Sequence, residues 1–209
     1  MDWAQEQTQP RRRSAAGHGR PRTVQAAAVW RLVDGIASEL GPSPRQGAPA
    51  IFLDRDGTLI ADPGYLRDPA LVRLLPGVSE GLRRLASAGY ALVLISNQSG
   101  VGRGLITPDE LEAVHRRTWA LLEAEGLPLS GAWYCTHRPE LRCACRKPAP
   151  GLLRAAAAAL SLPLERSWMI GDRPSDVDAA QAAGSRAVLL DAETPDLVAA
   201  SRLILDVRP

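Results

Sequence analysis

The chain has 209 residues, 45% of them apolar and 23% charged, with a formal net charge of +2. That length accommodates one α/β domain plus an appendage, and the near-neutral balance supplies no strong field to recruit nucleic acid or an anionic membrane surface. No apolar run approaches bilayer-spanning length, no compact apolar leader is evident, and the cysteines are too few and too clustered for a disulfide framework, so a cytoplasmic protein is expected.

Residues 1–49 differ in character from the rest. Arg11-Arg12-Arg13 and the Gly/Pro/Arg mixture through Arg22 read as a flexible, solvated basic tail. Thr23 is placed to cap a helix running to about Leu40, with Ala26, Val29, Val33, Ile36 and Leu40 on one face. Gly41-Pro42-Ser43-Pro44 then forms a linker.

From Ala50 to 209 the pattern is one of short apolar runs alternating with helical periodicity. Strands are expected at 50–53, 91–95, 131–134, 167–170 and 187–190, and helices at 77–87, 107–125, 150–160 and 175–183. Thr107-Pro108-Asp109-Glu110 is a capping box with proline at the first helical position. The strands are apolar throughout instead of alternating, which suits a parallel sheet covered on both faces. The expected fold is therefore α/β, a Rossmann-like parallel sheet with helices on both faces.

Ligands of such sheets gather at the carboxyl ends of the strands, and the polar segments fall there. Asp54-Arg55-Asp56-Gly57-Thr58 follows the first strand, Ser96-Asn97-Gln98-Ser99-Gly100 the second, 135–147 the third, and Gly171-Asp172-Arg173 the fourth. Two carboxylates one residue apart at a strand end can hold a divalent cation and leave an oxygen free to attack phosphorus. Gly57 allows a sharp turn there, and Thr58 is expected to fix it by hydrogen bonding. Lys147 is the only lysine of the chain and Asn97 the only asparagine, and both sit in these polar segments.

Cys135, His137, Cys143 and Cys145 form a C-x-H-x5-C-x-C pattern that contains every cysteine. Three thiolates and an imidazole complete a tetrahedral zinc shell with no open position, which predicts a structural zinc loop. His115 reads as a solvated helix residue, while Trp119, Trp133 and Trp168 read as core. Asp176 and Asp178 read as ordinary first-turn helix acids, with Asp176 a candidate second-layer partner of the site.

The motifs FLDRDGTL, ISNQSG, CRKPAPG and MIGDRPSD, in this order over about 50–191, resemble the haloacid dehalogenase-like superfamily of phosphohydrolases. The resemblance implies that Asp54, the backbone carbonyl of Asp56 and Asp172 bind Mg²⁺ and that Asp54 is the nucleophile. It also implies that Asp56 is the acid and base, with Ser96, Asn97 and Lys147 meeting the phosphoryl group. With its zinc loop, the chain is similar to the branch of heptose 1,7-bisphosphate 7-phosphatases and histidinol phosphatases. The heptose reading rests on AIFLDRDGTLI, Asp62-Pro63-Gly64-Tyr65 and NQSGVGRG; the short x5 spacing is shared with histidinol phosphatases. By this resemblance Arg55, Asp62, Tyr65, Asn97, Gln98, Ser99, Arg146 and Arg173 contact a small sugar phosphate. The segments between the motifs leave no room for a large cap domain, and a monomer is expected.

Overall fold

Residues 30–207 are described in the computed structural model of the chain. The expected basic tail and the start of the expected N-terminal helix lie outside them. The strands are β1 (Arg31–Val33), β2 (Ile36–Leu40), β3 (Ala50–Leu53), β4 (Ala91–Asn97), β5 (Gly131–Cys135), β6 (Trp168–Gly171) and β7 (Arg186–Leu189). The helices are α1 (Val78–Ser87), α2 (Ser99–Gly102), α3 (Pro108–Ala124), α4 (Gly151–Leu160), α5 (Pro174–Ala183) and α6 (Leu197–Asp206).

One seven-stranded sheet has the order β1-β2-β5-β4-β3-β6-β7. From β5 to β7 all neighbours are parallel, and β2 joins β5 antiparallel. Each central strand serves two cores because successive side chains point to opposite faces. Ile51, Leu53, Leu92 and Leu94 meet α1, α3 and α6 on one side. Ala50, Phe52, Val93 and Ile95 meet Leu152, Leu153, Ala156, Ala179 and Ala180 of α4 and α5 on the other. This two-sided burial is why the strands carry unbroken apolar runs. Trp119, Trp133 and Trp168 are buried, as expected. The expected capping box of α3 is present at the surface, where Glu110 N–H donates to Thr107 Oγ1 and Thr107 N–H donates to Glu110 Oε2.

The helix expected to reach Leu40 is absent from residues 31–40. Residues 31–40 make a hairpin instead, and the chain therefore enters the sheet before residue 50, where the domain was expected to begin. Asp34 and Gly35 both have positive φ, 47° and 70°, between the paired residues Val33 and Ile36. This is a two-residue turn whose backbone twist matches that of the flanking strands, and Asp-Gly is a favoured sequence for it. Two residues counted on the apolar helix face, Val33 and Leu40, are in fact 63% and 50% exposed.

The order of the parallel strands places β3 at the switch point. The chain leaves β3 toward β4 and β5 on one side, then returns to β6 and β7 on the other. A crevice opens at the carboxyl end of β3 for this topological reason. Among the described residues, no helix is long and apolar enough to cross a membrane.

Candidate active site and zinc loop

The crevice has a volume of about 510 Å³ and is lined by Asp54, Asp56, Asp62, Tyr65, Ser96, Asn97, Gln98, Ser99, Arg146, Lys147, Arg173 and Asp176, with others. Four strand ends supply them, β3, β4, β5 through its following loop, and β6. Lys147 is at the centre and buried. Its Nζ donates to Asp54 Oδ1 at 2.6 Å and to the Ile95 carbonyl at 2.9 Å, and lies 2.5 Å from Asp176 Oδ1. Burial alone would lower the lysine pKa, but Asp54 and Asp176 outweigh it and the pKa is raised. Lys147 is thus a fixed cation.

Asp54 lies at the end of a strand whose side chains are fully enclosed, and its own carboxyl is buried. Desolvation raises its pKa to about 6 despite the opposing pull of Lys147, with Asp176 and Asp56 adding to the rise. The turn that follows is held by the backbone: Gly57 N–H donates to Ile60 O at 2.7 Å, and Leu59 N–H donates to Arg55 O at 2.9 Å. Thr58 does not fix this turn as expected, because its buried hydroxyl has no hydrogen-bond partner among the described residues. Gly57 has φ 79°, and a Cβ there would lie 2.3 Å from Asp172 Oδ2. The glycine therefore serves both the turn and the approach of Asp172.

Asp172 has the character of a metal ligand. Its Oδ1 is buried without a hydrogen-bond partner among the described residues. Burial raises its pKa, with Arg173 opposing. Carboxylate oxygens of Asp54, Asp172 and Asp176 lie within 4.8 Å of one another. A hard, oxygen-seeking cation such as Mg²⁺ fits this donor set and would satisfy the orphaned oxygen.

Asp176 contributes more than a first-turn acid would. Its Oδ2 accepts from the Arg173 N–H at 3.1 Å while its other oxygen pairs with Lys147. The spacing from Asp172, across the start of α5, was the available signal. Asn97 clamps the backbone of Lys147, donating from Nδ2 to its carbonyl at 3.0 Å and accepting its N–H at 3.1 Å on Oδ1. Ser96 Oγ accepts from Gln98 Nε2 at 3.1 Å. Arg55, expected at the substrate, is buried outside the crevice lining and grips Asp56 with two hydrogen bonds of 2.9 Å each. A side chain directly after a strand points to the opposite side from its neighbours, which is why Arg55 turns inward between Asp54 and Asp56.

At the mouth, Arg173 pairs with Asp62 at 2.8 Å. Arg103, unremarked in the sequence, donates to Tyr65 Oη at 3.1 Å. Arg146 faces the crevice with a buried Nη1 that has no partner among the described residues.

The Cys135, His137, Cys143 and Cys145 ligand atoms also lie within 4.8 Å of one another. Sulfur–sulfur separations of 3.3–3.6 Å and an Nδ1–Sγ separation of 3.2 Å from His137 to Cys145 describe a compact tetrahedron. Zinc–sulfur bonds of about 2.3 Å imply edges of about 3.8 Å, so a small expansion admits the ion. Lys147 follows the last of these ligands by two residues, which ties the loop to the site.

A parallel sheet with an Asp-x-Asp turn at its middle strand, and with a lysine and further aspartates at the adjoining strand ends, defines a HAD-like phosphohydrolase. Comparison with known proteins agrees. The HAD-hydrolase-like family matches residues 144–201. A D-glycero-beta-D-manno-heptose-1,7-bisphosphate 7-phosphatase of Photorhabdus laumondii is 41% identical over 143 residues, covering 65% of this chain and 76% of its own. A putative HAD-like phosphatase structure from Mesorhizobium loti is 32% identical with TM-score 0.69, covering 81% of this chain and 94% of its own. The D,D-heptose 1,7-bisphosphate phosphatase of B. bronchiseptica, complexed with magnesium and phosphate, is 30% identical with TM-score 0.66, covering 77% and 99%. The chain belongs to the heptose-1,7-bisphosphate 7-phosphatase family of HAD-like hydrolases.

Proposed function

We propose that the protein removes the 7-phosphate of D-glycero-D-manno-heptose 1,7-bisphosphate in the cytoplasm, as a monomer. The observation that carries the reading is the meeting of Asp54, Lys147, Asp172 and Asp176 in one cluster, in a chain of this family.

Asp54 attacks phosphorus in line and becomes an aspartyl phosphate as the ester bond breaks. Asp56 protonates the departing alkoxide, then takes a proton from the water that hydrolyses the intermediate. Lys147 offsets charge on nucleophile and phosphoryl group without needing to move. Ser96 donates to a phosphoryl oxygen, and Asn97 keeps Lys147 in place. Mg²⁺, held by Asp54, Asp172 and the backbone carbonyl of Asp56 with Asp176 in reach, would neutralise the phosphate dianion. Zinc on Cys135, His137, Cys143 and Cys145 would be structural, stiffening the loop that carries Arg146 and Lys147. Arg146, Arg173, Asp62, Tyr65, Gln98 and Ser99 line the space for sugar and second phosphate.

The deciding assay compares phosphate release from heptose 1,7-bisphosphate and from histidinol phosphate with magnesium present. Preference for the heptose supports the proposal. Preference for histidinol phosphate, with which the short zinc loop is also compatible, overturns it.

A further inference from the structure

Asp56 is held by an arginine that reaches no solvent, and that arginine sits at one end of a buried polar column. Arg55 Nε donates to Asp56 Oδ1 and its Nη2 donates to Asp56 Oδ2, while Gln98 Nε2 donates to the same Oδ2 at 2.6 Å. A carboxylate offers about four lone-pair sites. Two are taken on Oδ2 and one on Oδ1, so a single acceptor direction remains, on Oδ1. The carboxylate is the partly exposed end of the pair and the guanidinium the buried end.

The guanidinium itself lies over the ring of Tyr134, with Cζ 5.9 Å from the centroid, and its Nη1 has no hydrogen-bond partner among the described residues. Tyr134 is fully buried on β5. Its hydroxyl is 2.7 Å from Nδ1 of His115 on α3, whose Nε2 is 3.0 Å from Oε2 of Glu39 on β2. One proton arrangement satisfies all three groups. The tyrosine hydroxyl donates to Nδ1, and Nε2–H donates to the carboxylate. Trp30 packs against both rings, at 4.6 Å from His115 and 5.5 Å from Tyr134. The phenol ring is thus locked in orientation. A hydroxyl that donates its proton also enriches the ring face that the cation meets.

We propose that Arg55 is the positioning residue for Asp56, aiming its one free lone pair at the leaving oxygen, and that the Glu39–His115–Tyr134 column holds Arg55 in register. The proposal rests on the role given to Asp56 above. It makes the N-terminal hairpin, through Glu39, part of the apparatus that orients the proton donor.

The test separates proton donation from everything else by the leaving group. p-Nitrophenolate departs without help, whereas a sugar alkoxide needs a proton. Alcohol release in the first turnover is measured for p-nitrophenyl phosphate and for heptose 1,7-bisphosphate, with Mg²⁺, in wild type, Arg55→Lys, Tyr134→Phe and Glu39→Gln. Arg55→Lys should slow release of the sugar by about 10²-fold with KM within about twofold, and slow nitrophenol release by under about threefold. Tyr134→Phe and Glu39→Gln should show the same selective loss, smaller in size. Equal losses on both substrates, or none, overturn the proposal while leaving the phosphatase reading intact. No phosphate release from either substrate by wild type would instead refute the phosphatase reading. Should Arg55→Lys fail to fold, Tyr134→Phe, which deletes one hydroxyl and keeps the ring, decides alone.

Discussion

The Cα of Gly35 lies against the imidazole of His137, so closely that a Cβ would sit 2.3 Å from Nε2 and 2.6 Å from Cε1. The Gly35 carbonyl also accepts both the N–H and the hydroxyl of Thr136, at 2.9 and 2.8 Å. The hairpin turn therefore covers one ring nitrogen and leaves Nδ1 facing the three sulfurs. Gly35→Val should push the ring off this seat. The variant is expected to lose zinc to a chromogenic chelator ~10-fold faster or more, as for other residues that orient a metal ligand. Release at the wild-type rate would show that the turn does not seat the histidine.

Lys147 links two buried carboxylates, and no other lysine exists to replace it. Lys147→Met leaves Asp54 and Asp176 facing each other without a cation. In the metal-free protein this should cost about 3–5 kcal/mol in urea unfolding. With Mg²⁺ present, phosphate release should fall by about 10²-fold or more, because a preplaced positive charge is gone. Mg²⁺ should recover part of the stability but not the rate.

Asp54 sets an unusual pH dependence. Its pKa rises on folding from 3.8 to about 6, chiefly through burial. A raised carboxyl pKa favours the folded state below the unfolded value, and that contribution is lost as pH climbs through about 6. A bound cation reverses the balance by favouring the carboxylate. The increase in melting temperature on adding Mg²⁺ should therefore be larger at about pH 7.5 than at about pH 5, and Asp54→Asn should flatten the difference.

His115 acts in the opposite sense. Burial lowers its pKa, with Glu39 opposing. A depressed folded-state pKa gives stability that is present above 6.5, the ordinary value, and lost as pH falls through the folded pKa. Acidification from about pH 7 to about pH 5 should lower the melting temperature of wild type more than that of His115→Gln. Parallel curves would mean that the ring is not held neutral.

The parallel sheet was legible because burial on two faces demands unbroken apolar runs, and β3 to β7 all carry them. That Asp54, Asp56, Lys147 and Asp172 gather at one end of the sheet was legible for a related reason, since polar residues ending such runs meet at the carboxyl ends of the strands. The hairpin is hard to see because Val33, Ile36 and Leu40 also suit a helical repeat, and Asp34-Gly35 alone signals the turn. His115 looked solvated beside Arg116, yet it is buried by strands distant in sequence, which no local window contains. The family resemblance puts Arg55 at the substrate. Strand alternation sends it the other way. Asp176 looks like an ordinary first-turn acid in the sequence because its partner, Lys147, approaches from another strand end.

The hairpin has a further consequence for the outer margin of the sheet. β5 is buried along its whole length, and β2 pairs with every residue of it from Gly131 to Cys135. On that side the outermost strand among the described residues is β1, three residues long and led by an arginine. Short, charged borders discourage strangers from adding on. Cutting the polypeptide back to residue 48 would bare a row of unclaimed amides along β5, the strand that carries Trp133 and Tyr134. Such a shortened protein should clump in solution, and its precipitate should carry the sticky segment at its heart.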